Sequence, residues 1–493
     1  MGGLLFGDIQ GYIEMNNEFV IHSNQSNRVE KAFSFLNEFS FDKVIYGINT
    51  GFGPMAQYRI EDSELNALQY NLVRSHANGT GKLFSEREVR SIMICRLNTL
   101  ALGKSGVSLG VVKTLESFIK AEVYPNIYEH GSVGASGDLV QLAHLGLGLI
   151  GEGLCSYKGE QRSVSDVLKE TNISPLQLQL RDGLALINGT SCMTGVAITN
   201  LIDAKRLVDT TILLSSSINE ILESYDDSFS SFINNSKMHK GQRDVAQQMR
   251  DHLSDSKLIK RREDHLYTKT DESQQKVFKN KVQEYYSIRC VPQIIGPIVD
   301  TISSAIEVIQ NEVNSANDNP LTDVEGENVF HGGNFHGDYV ALEMDKLKIA
   351  ITKLCMLMER QLNFLMNSKL NEKFPPFLNK GTLGLNFGLQ GLVFSATSTT
   401  AECQTLTNPM YVHSIPCNND NQDVVSMGTN AAVLTRKVIS NTYEVQAILS
   451  TAVAQAIDIA ENKAKLSSST VKIYDKIRSV FPCVEEDVPM FKE

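Results

Sequence analysis

Residues 131–145 carry the sequence GSVGASGDLVQLAHL, in which a glycine-rich segment is followed by an apolar run. The apolar run predicts a helix, with Ser136 or Asp138 as its N-terminal cap. The glycines also allow a nest of backbone N–H groups that binds an anion. A third interpretation is self-modification, in which the amide nitrogen of Gly137 attacks the carbonyl carbon of Ala135. The segment alone leaves these three alternatives open.

The self-modification hypothesis accounts for each residue type in the tripeptide 135–137. Gly137 permits a tight turn and leaves its amide nitrogen unhindered. Ala135 adds little bulk at the carbonyl under attack, and Ser136 supplies a hydroxyl that leaves as water. Ring closure with loss of two waters gives a 4-methylidene-imidazol-5-one, whose exposed methylene is an electrophile. A chain that makes this group would need neither a metal ion nor a diffusible cofactor.

Helical periodicity dominates the second half of the chain. Leucine, isoleucine and methionine recur on one face over about five turns within residues 347–365. The stretches 198–222 and 431–460 also predict long helices. We therefore expect a mainly α fold, with a loop-rich N-terminal part over residues 1–190 and a long-helix bundle over residues 191–493.

Charge and cysteine content exclude several classes of function. The chain has 57 acidic and 46 basic residues, and its formal net charge of −11 disfavours nucleic-acid binding. The eight cysteines are scattered without a CxxC pair, which argues against a zinc site. No apolar run approaches the roughly 18 residues of a membrane span, and the N-terminus lacks the pattern of a secretion signal. We expect no membrane partner and a cytoplasmic location.

Further loops between the predicted helices are rich in glycine and asparagine. With residues 131–144 they resemble, in the same order, the motifs of the histidine and phenylalanine ammonia-lyase family, over nearly the whole chain. These motifs are VIYGINTGFG (44–53), LVRSHANG (72–79), ALING (185–189), YSIR (286–289), NDNP (317–320), GNFH (333–336) and NQD (421–423). The resemblance implies a fumarase/aspartase-like helical architecture, an aromatic amino acid substrate, the 4-methylidene-imidazol-5-one cofactor, and a homotetramer with shared active sites.

The resemblance also assigns roles to residues of this chain. Tyr46 is expected to be the base that removes the β-proton of the substrate, and Ser136 to become the electrophilic methylene. Arg289 is expected to bind the substrate carboxylate bidentately, which a lysine could not do. The other expected site residues are polar or aromatic neighbours of the cofactor and substrate: Gly53, Asn188, Gln283, Tyr286, Asn319, Phe335 and Asn421.

Tyr46 needs help from its surroundings to act as a base near neutral pH. An ordinary tyrosine has a pKa of about 10, and burial alone raises it. We therefore expect positive charge, a helix N-terminus or hydrogen bonds that favour the phenolate. Without such neighbours Tyr46 would be a packed aromatic residue of a turn. His336 is left with two interpretations, as a support behind the site or as a satisfied core histidine.

Two places in the sequence concern the substrate ring. Ser75 and His76 are polar where phenylalanine lyases are apolar, and a buried imidazole without a partner is costly. Histidine lyases carry a glutamate where this chain has Gln422, and a neutral amide is a poorer partner for a cationic imidazole. Asn418 is a neutral polar residue of the kind seen in tyrosine lyases. Together they favour tyrosine, with p-coumarate as product, and the overall resemblance is to bacterial tyrosine ammonia-lyases.

Other functions stay open at this point. Histidine and phenylalanine lyases differ from a tyrosine lyase only in the ring that they accept. An aminomutase uses the same cofactor but returns ammonia to the β-carbon, and the sequence does not separate it from a lyase. A non-catalytic helical scaffold or sensor is the remaining alternative. The joint presence of Tyr46, Ser136, Asn188, Tyr286 and Arg289 argues against it.

Overall fold

The computed structural model describes residues 3–267, 276–278 and 281–491. Its regular structure is mostly α-helical with a few short strands, which confirms the predicted mainly α fold class. The charged stretch 257–281 of the sequence lies partly outside the described residues. None of the described helices is both long and apolar enough to cross a membrane.

The α-helices follow one another along the chain with few strands between them. Those of the first half are α1 (Phe6–Ile13), α2 (Ser23–Phe39), α3 (Leu65–His76), α4 (Glu86–Leu100), α5 (Leu109–Lys120), α6 (Leu139–Leu149), α7 (Val164–Thr171), α8 (Asp182–Ile187), α9 (Ser191–Ile221), α10 (Ser231–Asn235) and α11 (Lys240–His252). Those of the second half are α12 (Arg262–His265), α13 (Tyr286–Arg289), α14 (Val291–Val313), α15 (Asp338–Met366), α16 (Ser368–Asn371), α17 (Gln390–Thr405), α18 (Gly428–Ala460) and α19 (Ser468–Arg478).

The strands of the described residues are short and antiparallel. The first pair is β1 (Thr80–Leu83) with β3 (Tyr128–His130). A second sheet has the order β2 (Tyr124–Pro125), β4 (Leu154–Tyr157), β5 (Glu160–Ser163). The last pair is β6 (Leu321–Asp323) with β7 (Asn328–Phe330), in which Leu321 lies opposite Phe330. The strands thus form small local sheets between the helices.

The chain divides into two compact units. Unit 1 consists of Met1–Ile202, Ser304–Lys346 and Pro409–Arg436, and unit 2 consists of Asp203–Ser303, Leu347–Asn408 and Lys437–Glu493. All the described strands belong to unit 1. Each unit is therefore assembled from segments that are distant in sequence. The single boundary expected near residue 190 stays a prediction.

Local sequence explains where helices run and where they begin. The apolar stripe predicted between residues 347 and 365 lies on α15, and all its members are buried: Leu347, Ile351, Leu354, Met358, Leu362 and Leu365. Helix α4 begins with a capping box. The Ser85 hydroxyl accepts from the N–H of Glu88 at 3.3 Å, and the Glu88 carboxylate accepts from the N–H of Ser85 at 2.8 Å.

Helices α3, α6 and α8 pack against one another in unit 1 and position the loops described below. The close approach of α8 to α3 requires Gly183, where a Cβ would lie 2.8 Å from the carbonyl oxygen of Gln69. Gln69 is completely buried. Its side chain accepts from the N–H of Leu184 at 3.0 Å and donates to the carbonyl oxygen of Gly47 at 3.3 Å. Gln69 thus ties α8 to the loop that carries Tyr46.

Candidate active site

A cavity of about 480 Å³ lies in unit 1, where loops and helix ends from distant parts of the sequence meet. This volume is in the range of sites that bind small molecules. Eleven of the expected site residues line it: Tyr46, Gly53, Ser75, His76, Ser136, Asn188, Asn319, Phe335, Asn418, Asn421 and Gln422. The structure therefore brings together most of the polar and aromatic residues that the motifs indicated.

The tripeptide 135–137 forms a tight turn immediately before α6. Gly137 has a left-handed φ of +71°, and a Cβ there would lie 2.1 Å from the carbonyl oxygen of Gly189. Only glycine fits this position, because any other residue would clash with the backbone of Gly189. Ala135 is buried among apolar neighbours, whereas Ser136 is half-buried and lines the cavity. The serine is thus the member of the tripeptide that a small molecule in the cavity can reach.

Two side-chain amides hold Ser136. The Nδ2 of Asn188 donates to the carbonyl oxygen of Ser136 at 2.9 Å, and the Nε2 of Gln422 donates to its Oγ at 3.0 Å. The Oδ1 of Asn188 accepts from the N–H of Asn319 at 2.8 Å. Asn188 is itself buried. The carbonyl and the hydroxyl of Ser136 therefore both face fixed donors.

Asp138 is completely buried beside the tripeptide and joins it to two helix ends. Its carboxylate accepts from the hydroxyls of Ser132 at 2.8 Å and Thr429 at 2.5 Å, and from the N–H of Met193 at 2.8 Å. Burial raises the pKa of Asp138 above its ordinary value, while these hydrogen bonds lower it. Asp138 occupies the N-cap position of α6, as the sequence indicated, but it makes no side-chain capping bond there, because its carboxylate binds the first turns of α9 and α18 instead.

Tyr46 is half-buried at the cavity and has a backbone donor. The N–H of Gly53 donates to its phenol oxygen at 3.1 Å, and the ring of Phe52 packs edge-on with 6.2 Å between centroids. The completely buried guanidinium of Arg181 interacts electrostatically with this phenol: burial lowers the pKa of Arg181, and both Asp318 and Tyr46 act to raise it. A hydrogen-bond donor is one of the features that a tyrosine base requires.

Ser75 and His76 end α3, whereas the sequence indicated a loop. The helix continues this far because Leu72 and Val73 extend its buried face. The Nδ1 of His76 lies 2.9 Å from the carbonyl oxygen of Leu72, so in the neutral ring the proton belongs on Nδ1. Its Nε2 is then an acceptor, and within the described part of the chain no group donates to it. His76 therefore presents an acceptor to a molecule in the cavity.

Residues 417–422 form a tight hairpin beside the cavity. Cys417 and Gln422 exchange backbone hydrogen bonds of 3.2 and 3.3 Å. Residues 418–420 all have left-handed φ, between 51° and 56°. Asparagine and aspartate adopt this conformation with less strain than other side chains, and these three positions are Asn, Asn and Asp. The hairpin packs Asn418 against Gly53, where a Cβ would lie 2.8 Å from the Asn418 amide nitrogen.

Three expected site residues, Gln283, Tyr286 and Arg289, belong to unit 2 and are not among the residues that line this cavity. They form a group of their own at α13. The Arg289 guanidinium donates to the Gln283 side-chain oxygen and lies 4.9 Å from the centroid of the Tyr286 ring. The Tyr286 side chain is 70% exposed. The group therefore presents a cation and an aromatic ring at the surface of the chain.

His336 is half-buried, and both of its ring nitrogens have partners. Its Nε2 lies 3.2 Å from the carbonyl oxygen of Val424, and its Nδ1 lies 3.3 Å from the carboxylate of Asp338. His336 is thus a paired histidine at a partly exposed position, and a supporting role behind the site stays a prediction.

Sequence analysis missed two completely buried arginines, Arg96 and Arg181. Arg96 donates to the carbonyl oxygens of Asn188, at 2.9 Å, and Ala185, and burial lowers its pKa to about 10. Both arginines stand next to apolar sequence. Arg96 interrupts the apolar run ICRLNTLAL, and Arg181 directly precedes α8, whose last four residues are apolar. In the described residues, no group of three or more His, Cys, Asp or Glu side chains could hold a metal ion.

Comparison with known proteins gives matches over almost the whole chain. The family model described as aromatic amino acid lyase matches residues 6–479. The chain is 40% identical to a tyrosine 2,3-aminomutase of Chondromyces crocatus over 91% of this chain and 85% of that protein. It is 39% identical to a tyrosine ammonia-lyase of Cupriavidus metallidurans over 90% and 83% of the two chains. It is 36% identical to a histidine ammonia-lyase of Staphylococcus aureus over 99% and 94%.

Solved structures extend the similarity to the fold. The crystal structure of a tyrosine aminomutase from Streptomyces globisporus superimposes with a TM-score of 0.95 at 35% identity, covering 99% of this chain and 93% of that one. The relatives thus include proteins named for tyrosine and for histidine, and both lyases and aminomutases.

Proposed function

The chain belongs to the aromatic amino acid lyase family, and on this premise we propose that it eliminates ammonia from L-tyrosine to give p-coumarate. Membership confirms the resemblance seen in the motifs and makes the chain a carbon–nitrogen lyase. One observation carries the proposal: Tyr46, His76 and Ser136 line a single cavity in unit 1. A base, an acceptor for a phenol hydroxyl and the precursor of an electrophile are the groups that this reaction needs.

The tripeptide fits the proposed 4-methylidene-imidazol-5-one. The backbone of Gly189 leaves no room for a Cβ at position 137, and Ser136 is the member open to the cavity. Formed there, the group supplies an electrophilic methylene that accepts the amine of the substrate and makes ammonia a better leaving group. Asn188 would hold this group, because its amide donates to the carbonyl oxygen of Ser136, which the ring retains.

Tyr46 is proposed as the base that takes the β-proton. The β-hydrogen of an amino acid is very weakly acidic, so the base must be a phenolate close to the substrate. The proposal is supported by the N–H of Gly53, which would stabilise the negative oxygen.

His76 is proposed to accept the hydroxyl of the substrate ring. Its Nδ1 is occupied by the carbonyl oxygen of Leu72, which leaves Nε2 as the acceptor. Phenylalanine bound over the half-buried His76 would cover this nitrogen without giving it a partner, at a cost of about 1–3 kcal/mol once it is shielded from water. Of the described residues that line the cavity none is aspartate or glutamate, so a cationic substrate imidazole would find no carboxylate there. Both arguments favour tyrosine.

The substrate carboxylate needs a cation that this cavity does not contain, since no arginine or lysine is found among its described lining residues. We propose that Arg289 of a second protomer supplies it, in a homotetramer with shared active sites. The exposed group of Gln283, Tyr286 and Arg289 supports this assignment, because a guanidinium binds a carboxylate bidentately. Exposed apolar side chains before the 417–422 hairpin, Val412 at 71% and Ile415 at 66%, are also suited to burial against a partner.

The test of the proposal combines a mass and a set of rates. Wild-type chain should be lighter than its sequence by the mass of two waters, and Ser136→Ala should retain the full mass and lose activity. In parallel ultraviolet assays with L-tyrosine, L-phenylalanine and L-histidine, p-coumarate should form faster than cinnamate or urocanate. Full activity of Ser136→Ala would overturn the cofactor, and faster formation of cinnamate or urocanate would overturn the choice of tyrosine.

Shared sites have a separate test, because two inactive variants can complement each other. In the proposed shared site, Tyr46 and Arg289 come from different protomers. A tetramer that mixes Tyr46→Phe and Arg289→Gln chains would therefore contain some sites in which both residues are intact. Co-expression should restore a measurable fraction of activity that neither variant has alone. If the mixed protein stays as inactive as its components while forming tetramers, Tyr46 and Arg289 act within one protomer.

A second candidate is a tyrosine 2,3-aminomutase. The identity of 40% to such an enzyme and the TM-score of 0.95 to another favour it as strongly as they favour a lyase. The two activities share the substrate and the first elimination, and they differ in whether ammonia is returned to the β-carbon. Chromatography of the products from L-tyrosine separates them: accumulation of p-coumarate with less than a few per cent β-tyrosine supports the lyase, and β-tyrosine as the major product supports the aminomutase.

A further inference from the structure

Arg181 is completely buried in unit 1, and its guanidinium binds the turn at residues 318–320. It donates to the carboxylate of Asp318 at 3.2 Å, to the carbonyl oxygen of Pro320 at 3.0 Å and to that of Asn319 at 2.8 Å. It also donates to the carbonyl oxygen of Ser105. One planar, permanently charged guanidinium makes all these bonds. It therefore holds residues 318–320 in a fixed arrangement.

The same turn is connected to the tripeptide through Asn188. The N–H of Asn319 donates to the Oδ1 of Asn188 at 2.8 Å, and the Nδ2 of Asn188 donates to the carbonyl oxygen of Ser136 at 2.9 Å. The Asn319 N–H requires an acceptor, so the side-chain oxygen of Asn188 faces Asn319. The side-chain NH2 group of Asn188 therefore faces Ser136. A displaced turn would leave the amide free to flip, and the carbonyl oxygen of Ser136 would lose its donor.

We propose that Arg181 is a positioning residue for the formation of the 4-methylidene-imidazol-5-one, an inference that rests on the cofactor proposed above. The carbonyl oxygen of Ser136 belongs to the peptide bond between Ser136 and Gly137. A peptide bond is planar, so the hydrogen bond from Asn188 to this oxygen also orients the Gly137 nitrogen. That nitrogen must meet the carbonyl carbon of Ala135 for the ring to close, and Arg181 fixes its orientation through the turn at residues 318–320 and Asn188.

The reaction that Arg181 would assist is balanced within the tripeptide. The Gly137 nitrogen forms a bond to the carbonyl carbon of Ala135, and the Ala135 oxygen leaves as water with the amide hydrogens of Ser136 and Gly137. The Ser136 hydroxyl leaves as a second water with the Cα hydrogen, which creates the methylidene double bond. No oxidant, metal or external group is consumed. The extent of reaction is therefore readable as a loss of mass without any measurement of activity.

A purely stabilising arginine offers a matched control in unit 2. Arg478 is also mostly buried and binds the same kinds of groups: the carboxylate of Asp458 at 2.6 Å and the carbonyl oxygens of Phe481 at 3.1 Å and Pro482 at 3.0 Å. None of these groups is bonded to Ser136 or Asn188. Arg478→Gln should therefore lower stability much as Arg181→Gln does, but without an effect on the tripeptide.

The experiment follows the intact mass of the full chain at intervals after a pulse of synthesis. We expect Arg181→Gln to slow the loss of two waters at least about tenfold relative to wild type, while Arg478→Gln matures at the wild-type rate. Arg181→Lys keeps the charge but not the planar fork, and it should fall between Arg181→Gln and wild type. If Arg181→Gln does not fold, the double variant Arg181→Gln/Asp318→Asn replaces it, because it leaves no unpaired buried carboxylate.

A double-mutant cycle then asks whether Arg181 acts through Asn188. In an Asn188→Ala background, Arg181→Gln should change the rate of mass loss less than about twofold, since the connection is already broken. If the wild-type chain never loses two waters, the proposed cofactor does not form, and the cofactor proposal is overturned. Wild type that matures, together with a folded Arg181 variant that matures equally fast, would overturn the inference and leave the cofactor standing. An undiminished effect in the Asn188→Ala background would also overturn it.

Discussion

The side-chain amide of Gln422 donates to the hydroxyl of Ser136 at 3.0 Å. Its oxygen accepts from the Cys417 thiol at 3.3 Å, so both ends of the amide are occupied. The sequence had suggested that Gln422 acts by presenting a neutral group to the substrate ring. The structure adds a contact with the precursor itself, and loss of the Ser136 hydroxyl as water would free the Gln422 N–H groups to face the cavity.

Gln422→Glu should shift the substrate preference toward histidine. A carboxylate at this position accepts hydrogen bonds and pairs with an imidazolium, which the neutral cavity of the wild type does not do. We expect the ratio of kcat/KM for histidine over tyrosine to rise about tenfold or more, which corresponds to about 1.4 kcal/mol. Gln422→Met removes the amide without adding charge and serves as the control. An equal shift in both variants would mean that charge at residue 422 does not select the ring.

Features that depend on local pattern were predictable from sequence. The apolar spacing from Leu347 to Leu365 located α15 because a helix brings every third or fourth residue to one face. The residue types at 135–137 allowed cyclisation but left a helix cap and an anion nest open as alternatives, and cyclisation stays a proposal. Residues 72–79 were expected to form a loop, whereas α3 continues through Ser75 and His76, because the buried Val73 extends its apolar face.

Contacts between distant segments were not predictable. Arg181 and Asp318 are 137 positions apart, and no spacing rule relates them. The same holds for Asp138, whose carboxylate joins Met193 and Thr429 rather than the helix that follows it. Nor did the motifs indicate that Arg289 would belong to a different unit from the cavity. Such pairings depend on how segments pack in three dimensions, which a single sequence does not encode in any local pattern.

Gly137→Ala should prevent maturation. The added Cβ would lie 2.1 Å from the Gly189 oxygen at a left-handed φ, so the turn must move. We expect a folded chain that keeps its full sequence mass. Gly159→Ala is the matched control, because Gly159 also has a left-handed φ, +78°, but no atom lies within 4 Å of its Cβ position. Normal maturation of Gly137→Ala would show that the close contact with Gly189 is not needed for ring closure.

Tyr46→Phe should fold and mature but lose most of its turnover. A phenyl ring cannot accept a proton, and general-base catalysis typically contributes about 10²–10⁴-fold. We expect kcat for tyrosine to fall within that range with an unchanged loss of two waters in the mass. Tyr58→Phe controls for removal of a phenol from the same loop, since that side chain is 68% exposed. A decrease under threefold in Tyr46→Phe would remove Tyr46 from the role of base.

Asp182 should make unfolding depend on pH in a defined window. Burial raises the pKa of Asp182 from its ordinary 3.8 to about 6, although Ser108 and Gln179 donate hydrogen bonds to it. Between about pH 4 and pH 6 the folded chain therefore binds a proton at Asp182 that the unfolded chain has released. The contribution of Asp182 to stability is present at low pH and is lost as pH rises through 6.

The measurement is the free energy of unfolding by urea at several pH values, for wild type and Asp182→Asn. Relative to the variant, wild type should lose up to about 3 kcal/mol between pH 4 and pH 7, because two pKa units correspond to about that amount. The asparagine also loses acceptors, which lowers stability equally at every pH and does not alter the slope. A difference that is constant over this range, or that grows in favour of wild type, would contradict the assignment.

The double variant Ser75→Phe/His76→Leu should turn the preference from tyrosine toward phenylalanine. In wild type, the Nδ1 of His76 is occupied by the carbonyl oxygen of Leu72, and its Nε2 is free to accept the hydroxyl of tyrosine. The double variant removes this acceptor, so a buried tyrosine hydroxyl loses its partner at a cost of about 1–3 kcal/mol. Phenylalanine no longer leaves an imidazole unpaired, and it gains apolar contact.

Both effects change the ratio of kcat/KM for tyrosine over phenylalanine in the same direction, by roughly ten- to a thousandfold. The single variant Ser75→Phe is the matched control, because it keeps His76 and should move the ratio less than the double variant does. Wild type must first prefer tyrosine for the comparison to have meaning. Because Ser75 and His76 end a regular helix, the substitutions are compatible with its backbone, and the fold can be checked by circular dichroism. An unchanged ratio in a well-folded double variant would mean that His76 does not contact the ring, and the choice of tyrosine would then rest on Gln422 and Asn418.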